Sequence, residues 1–349
     1  MDSATAKEAS VGMLVQCDSD IGTIRYIGPV HELKDNTETW YGVEWKDPTR
    51  GKHDGSFKGT RYFATKYPTG GSFVRPAKVD FGIDIQLAVN AKYLQQEEIE
   101  NGNDQSVLYN NFNVNDKEIM ISCVVLAYSR ISTCHQVDLL KSTFPYMKEL
   151  DIEGNLFSSW SQIFLILDQL KGLKLLNVSN NLLGLPEETS KFAFDEKNVY
   201  ANIEHLILNR MDYSWTDVER VLRHFPNLVE LKVCFNGIRR VERVDADLMR
   251  KLRILDLEAN RLDDWEDLKK FGGLKELETL YANNVGLSRI CFSEVGHPMM
   301  SSLFPKLKVL SITDNKVDQV ILKLLFTVFY FANFNLKCLC SSLKVDIDK

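Results

Sequence analysis

Through the second half of the chain, a short alternation of apolar and polar positions closes on an asparagine, and the unit recurs. Its plainest copies are Leu150-Asp151-Ile152 with Asn155, Leu176-Asn177-Val178 with Asn181, Leu231-Lys232-Val233 with Asn236, Leu255-Asp256-Leu257 with Asn260, and Leu310-Ser311-Ile312 with Asn315. Weaker copies start at Val124, Leu206 and Leu280, and successive starts lie 26, 26, 30, 25, 24, 25 and 30 residues apart. Alternation at period two predicts a short strand with one buried face in each unit. No unit can bury that face alone, so the units must stack.

Eight units at this period predict an α/β leucine-rich-repeat solenoid over residues 118–318. The leucines and asparagines are then structural. Function falls to outward strand positions on the concave face, among which Asp151, Glu153, Lys232, Asp256, Glu258 and Tyr281 are the candidates for protein binding.

The first 82 residues follow a different pattern. They hold 10 of the 19 glycines, spaced between short β-type runs at Ile21 to Ile27, Trp40 to Trp45, Phe57 to Phe63 and Gly71 to Val74. Glycine at such intervals permits tight turns and close backbone approach, which predicts a small, twisted all-β domain over residues 10–82. Between the domains, Ile83 to Glu100 has the spacing of an amphipathic helix, with Ile85, Ala88, Val89, Tyr93 and Leu94 on one side. Residues 83–117 are therefore expected to be a linker and a cap for the solenoid. Residues 319–349 form an atypical apolar tail, in which Val320 to Cys340 has neither the repeat pattern nor enough uninterrupted apolar length for a membrane span.

Charge separates the two domains further. The chain has net charge −6, yet Lys46 to Lys78 carries eight Lys or Arg against two Asp. A general nucleic-acid binder does not fit an overall pI near 5.6. The seven cysteines and six histidines show no metal-ligand spacing, the phosphate-binding G-x-x-x-x-G-K-[ST] motif is absent, and the acidic pairs Glu97-Glu98 and Asp263-Asp264 stand without catalytic company. No enzyme, cofactor or metal is expected, and nothing in the sequence calls for a homo-oligomer. The polar, charged Met1 to Ser10 does not read as a signal peptide, and the scattered cysteines suit reduced thiols in the cytoplasm.

Gly22-Thr23-Ile24-Arg25-Tyr26-Ile27-Gly28, Trp40-Tyr41-Gly42-Val43-Glu44-Trp45, the loop Gly51-Lys52-His53-Asp54-Gly55-Ser56 and Gly59-Thr60-Arg61-Tyr62-Phe63 occur in the order that resembles the CAP-Gly domain. That resemblance implies a small β-barrel that binds acidic C-terminal tails, such as the one ending in Glu-Glu-Tyr/Phe on α-tubulin. Carried over residue by residue, Lys52 faces the tail and Asp54 shapes the loop formed by Gly51, His53, Gly55 and Ser56. Trp45, Phe57 and Phe73 are the candidate groove rings, with Arg75 beside them. His53 stands where the family usually has Asn.

A CAP-Gly domain followed by leucine-rich repeats resembles the tubulin-folding cofactor E family over residues 10–318. The resemblance implies a cytoplasmic, cytoskeleton-linked chaperone whose partners are α-tubulin and other tubulin-folding cofactors, acting in heterodimer assembly or dissociation. A microtubule plus-end scaffold recruiting partners through its repeats is the alternative. Family members carry a ubiquitin-like domain after the repeats, and this chain stops before one, so a truncated or alternatively spliced end is expected.

Overall fold

The computed structural model describes residues 9–31, 38–94, 121–135, 139–185, 199–288, 303–317 and 337–339. Four strands, β1 (Leu14–Cys17), β2 (Asp20–Pro29), β3 (Thr39–Trp45) and β6 (Gly71–Val74), form an antiparallel sheet in the order β1-β2-β3-β6. The run expected from Phe57 to Phe63 is divided by a turn at Lys58 and Gly59, giving the hairpin of β4 (Ser56–Phe57) and β5 (Thr60–Arg61). One face of the sheet covers a core of Val15, Cys17, Ile24, Val43, Trp45 and Val74.

The solenoid is a single parallel sheet. Its strands are β8 (Cys123–Val125), β10 (Glu149–Asp151), β11 (Leu175–Asn177), β12 (His205–Ile207), β13 (Glu230–Lys232), β14 (Ile254–Asp256), β15 (Thr279–Tyr281), β16 (Val309–Ser311) and β17 (Lys337–Leu339). The central residue of each strand from β8 to β16 (Val124, Leu150, Leu176, Leu206, Leu231, Leu255, Leu280 and Leu310) is buried. Short helices return the chain on the other side: α2 (Leu139–Thr143), α3 (Trp160–Gln169), α4 (Trp215–Leu222) and α5 (Trp265–Lys269). Ser159, Ser214 and Asp264 cap the last three by accepting a first-turn N–H.

The repeat asparagines work as internal brackets. Asn236 is buried. Its Nδ2 donates to the carbonyls of Leu208 (2.8 Å) and Val233 (2.9 Å), and its Oδ1 accepts from Met211 N–H (2.9 Å) and Tyr213 N–H (3.3 Å). Asn155, Asn260 and Asn315 make the same donor pair and accept from two backbone amides in the neighbouring turn. A buried turn that cannot reach water has its backbone groups satisfied in this way.

Two expectations need correction. Lys337–Leu339, inside the stretch read as an atypical tail, runs as a ninth parallel strand beside β16, in register Val309 with Lys337. The 28-residue offset of that register matches the repeat period, but Cys338 stands at the central leucine position and Leu343 at the asparagine position, so the sequence pattern hides it. The rest of Val320 to Cys340 lies outside the described residues. Second, the helix expected from Ile83 begins as a strand, β7 (Ile83–Asp84), paired in parallel with β9 (Ile131–Thr133), before turning into α1 (Ile85–Val89) and a π-helical turn over Asn90–Leu94. Ile85, Ala88 and Val89 are buried in the solenoid core, with Tyr93 and Leu94 packed against it. Residues 95–100 of that expected helix lie outside the described residues.

The glycine-rich domain is docked on the solenoid. Lys46 Nζ donates to the carbonyl and the side-chain oxygen of Asn180 at 2.8 and 2.6 Å, Lys66 Nζ reaches Asp212 at 2.5 Å, and Arg130 pairs with Asp80. Burial at this junction lowers the Lys46 pKa to about 8. Gly82 sits at φ +77 where a Cβ would meet the Arg130 carbonyl at 2.4 Å, so only glycine lets the chain pass this close into β7.

Candidate functional site

Alternation along β3 sends Val43 and Trp45 to the core face of the sheet and Gly42 to the other. On that second face Phe73, opposite Gly42 in register, is the hub of an aromatic cluster. Its ring centroid lies 5.0 Å from His53, 5.3 Å from Tyr62, 5.6 Å from Phe63, 6.2 Å from Phe57 and 6.4 Å from Tyr26. Phe63 is buried as the floor, and a Cβ on Gly42 would strike it at 2.4 Å. Phe73, Phe57, Tyr62, Tyr26 and His53 remain half-buried, so part of this ring cluster is exposed at the surface of the domain.

The Gly51–Ser56 loop borders this surface. A Cβ on Gly51 would lie 2.0 Å from the Thr69 carbonyl, and Gly55 sits at φ +92 with a Cβ that would meet the Phe63 carbonyl at 2.2 Å. Both positions therefore require glycine. The amides of Lys52 and His53 donate to the Gly71 carbonyl at 2.7 and 3.1 Å, which ties the loop to β6. Asp54 accepts from Ser56 N–H at 3.0 Å and from the Arg61 guanidinium at 2.7 Å. The Ser56 amide is the main reason that its carboxyl is held below the usual carboxylate range. His53 Nδ1 accepts the Gly55 N–H at 3.1 Å, so the neutral ring carries its proton on Nε2 and offers a donor there. Burial lowers the His53 pKa and favours this neutral form. Lys52 is exposed and makes no ion pair among the described residues. One point charge, one ring N–H and a wall of aromatic rings are what a carboxylate followed by an aromatic side chain would use.

Of the residues named from sequence, Gly51, Lys52, His53, Asp54, Gly55, Ser56, Phe57 and Phe73 come together here. Trp45 does not. It is 3% exposed in the core on the opposite face, with the Arg50 guanidinium 4.9 Å from its ring centroid, and offers no surface to a ligand. Arg75 is exposed, with its guanidinium 5.3 Å from the Trp40 ring centroid and 3.6 Å from Glu38. Tyr26, Tyr62 and Phe63 were missing from the sequence-based set. Their signal is the Tyr62-Phe63 pair that follows the hairpin, since the hairpin returns the chain to the loop.

On the solenoid, Asp151, Lys232, Asp256 and Tyr281 fall in one lateral row by strand register. Asp151 and Asp256 also accept the amides of Glu153 and Glu258 at 2.9 and 3.1 Å, so each spends an oxygen on its turn. Glu153 is engaged by Tyr128 Oη at 2.9 Å, and Lys232 pairs with Glu230 at 3.2 Å. Among the described residues no group of three His, Cys, Asp or Glu is placed to hold a metal ion, and no helix is long and apolar enough to cross a membrane. Cys17, Cys134 and Cys234 are buried free thiols, and Cys123 is an exposed one.

The CAP-Gly domain family matches residues 11–79. The chain is 33% identical over 330 residues to tubulin-specific chaperone E of Bos taurus, covering 90% of this chain and 61% of that one. The chain is homologous to tubulin-specific chaperone E. Tubulin-folding cofactor E of Arabidopsis thaliana is 32% identical over 322 residues, which is 86% of this chain and 58% of that one. The chain thus spans about 60% of the length of these relatives. Among solved structures, the Bik1 CAP-Gly domain with an ETF peptide from Bim1 is 35% identical, covering 20% of this chain and 78% of that one, with a TM-score of 0.18.

Proposed function

We propose that this protein is a tubulin-folding chaperone that holds the acidic C-terminal tail of α-tubulin in its CAP-Gly groove and the folded body on its repeats. It would assist assembly or dissociation of the α/β heterodimer together with other tubulin-folding cofactors, in the cytoplasm and at the cytoskeleton. The names of the homologues support the tubulin-folding role. The observation that carries the tail assignment is the ring cluster around Phe73 beside an exposed Lys52 that has no ion pair among the described residues.

In this reading the terminal aromatic side chain lies edge-on against Phe73 and Phe57. Such ring pairs contribute about 0.5–1.5 kcal/mol each beyond the area they bury. Lys52 and the His53 Nε2–H take carboxylate oxygens, and charge-assisted hydrogen bonds of this kind are roughly twice as strong as neutral ones. The docked junction sharpens the advantage of a second contact. Two linked contacts can exceed either alone by roughly 10²–10⁴, provided that the fixed geometry lets both engage. The role is binding, with no chemical step.

The test is binding of the purified chain to α-tubulin with and without its last aromatic residue, alongside Lys52→Ala and Phe73→Ala. Parallel losses from all three changes are expected. Undiminished binding after removal of the terminal residue and after Phe73→Ala would remove the groove from the mechanism.

A further inference from the structure

A cationic groove runs along the solenoid beside helix α4. Asp212 stands at one end, where its carboxylate is taken by Lys66 of the CAP-Gly domain. From there the groove passes Arg239 and Arg240, then Arg243 and Arg223. These four arginines are exposed and make no ion pair among the described residues. Glu219 and Glu242 line the same groove, and Glu219 is already engaged by the Asp245 amide at 3.0 Å. In a chain of net charge −6, this is a local excess of unpaired positive charge.

A second observation points to a ligand. Trp215 contributes to the wall at both ends of the groove and is 2% exposed. Its indole Nε1–H is buried and has no acceptor among the described residues. Buried donors in native structures are almost always paired, and this one lies in a residue of the arginine-lined wall, where a shift of the indole would let an arriving carboxylate accept it. Guanidinium groups match carboxylates two bonds at a time, and their planar faces are weakly hydrated.

We propose that this arginine-lined groove is a binding site for an acidic polypeptide segment, separate from the Gly51–Ser56 loop. Its ligand is a run of glutamate or aspartate side chains and needs neither a free C-terminal carboxylate nor a terminal aromatic residue. The groove starts at the junction with the CAP-Gly domain, so an acidic segment lying in it passes close to that domain without entering its aromatic cluster.

The probe is a fluorescently labelled octaglutamate peptide with an amidated C-terminus, titrated against the whole chain at low and high salt. Binding is expected that weakens at high salt, falls at least about tenfold in Arg239→Glu/Arg240→Glu, and is unchanged in Lys52→Ala. Arg223→Glu, at the far end, is expected to weaken it as well, and Arg239→Lys/Arg240→Lys to retain most of it. The proposal is overturned by absent binding, by binding indifferent to the arginine reversals, or by loss in Lys52→Ala. Tighter binding of a single-stranded oligonucleotide of equal charge would overturn the peptide assignment. The amidated probe keeps this result distinct from the tail assignment, which a free aromatic C-terminus tests.

Discussion

The Lys46 ammonium meets Asn180 twice, at 2.8 Å on the backbone carbonyl and 2.6 Å on the side chain, across a separation of 134 residues. Asn180 is itself in the left-handed conformation at φ 60, one residue before the buried Asn181. A repeat turn thus presents two oxygens to one cation from the other domain.

This contact predicts a pH dependence. Burial lowers the Lys46 pKa from 10.5 to about 8, so the unfolded chain holds this proton more tightly than the docked one. Between those values folding releases the proton, and stability rises with pH. Relative to Lys46→Met, the native chain should gain up to about 3 kcal/mol from pH 8 to pH 10.5. Denaturant titrations of both proteins across that range measure it, and a constant difference would sink the idea.

His53 predicts a second dependence of the same sign. Its lowered pKa means that the unfolded chain takes up a proton first as pH falls below 6.5. Protonation also removes the Nδ1 acceptor that holds the Gly55 amide. Without ligand, acidification below pH 6.5 should destabilise the native CAP-Gly domain more than His53→Asn, measured by thermal melting. Equal sensitivity of the two would contradict this.

Asn236→Ala should destabilise strongly. The change strands two buried amides and two carbonyls, at about 1–3 kcal/mol for each unsatisfied group. A loss of about 3 kcal/mol or more in chemical denaturation is expected, and one under 1 kcal/mol would mean that the turn repacks or admits water.

Two glycines only four residues apart should respond differently to alanine. Gly59 has a positive φ of 88 but open space around it, so Gly59→Ala carries only backbone strain of about 1–3 kcal/mol. Gly55 has a similar φ and a carbonyl 2.2 Å from the new methyl, so Gly55→Ala must move the loop. Tail-peptide binding should survive the first change and fail in the second, with both proteins folded by circular dichroism. Equal binding by both variants would overturn the loop's role.

The repeat units were legible because Leu150, Leu176, Leu231, Leu255 and Leu310 each occupy the middle of a strand and their asparagines the turn, a spacing that stacking alone imposes. The side of the sheet that faces a ligand was not legible. Trp40 to Trp45 alternates, but both faces of this small sheet are lined by apolar side chains, so nothing local tells Trp45 from Phe73. Strand β1 escaped notice because Leu14–Cys17 is four residues with no glycine inside it. The ninth strand escaped because Cys338 sits where the other strands have Leu or Val. Docking of the two domains leaves no local pattern, since Lys46 and Asn180 are each ordinary surface residues until the chain has folded.

Each strand from β10 to β16 is bonded only to the one before and the one after it, so strength passes along the stack as through links of a chain. A break at one link need not dissolve the rest. If the Asn260 turn opens, the part holding β8 to β13 keeps its own neighbours, and the CAP-Gly domain, fastened at Asn180 and Asp212, goes with it. Mechanical or thermal damage to the far repeats would then leave a smaller, still coherent module with its aromatic groove in place.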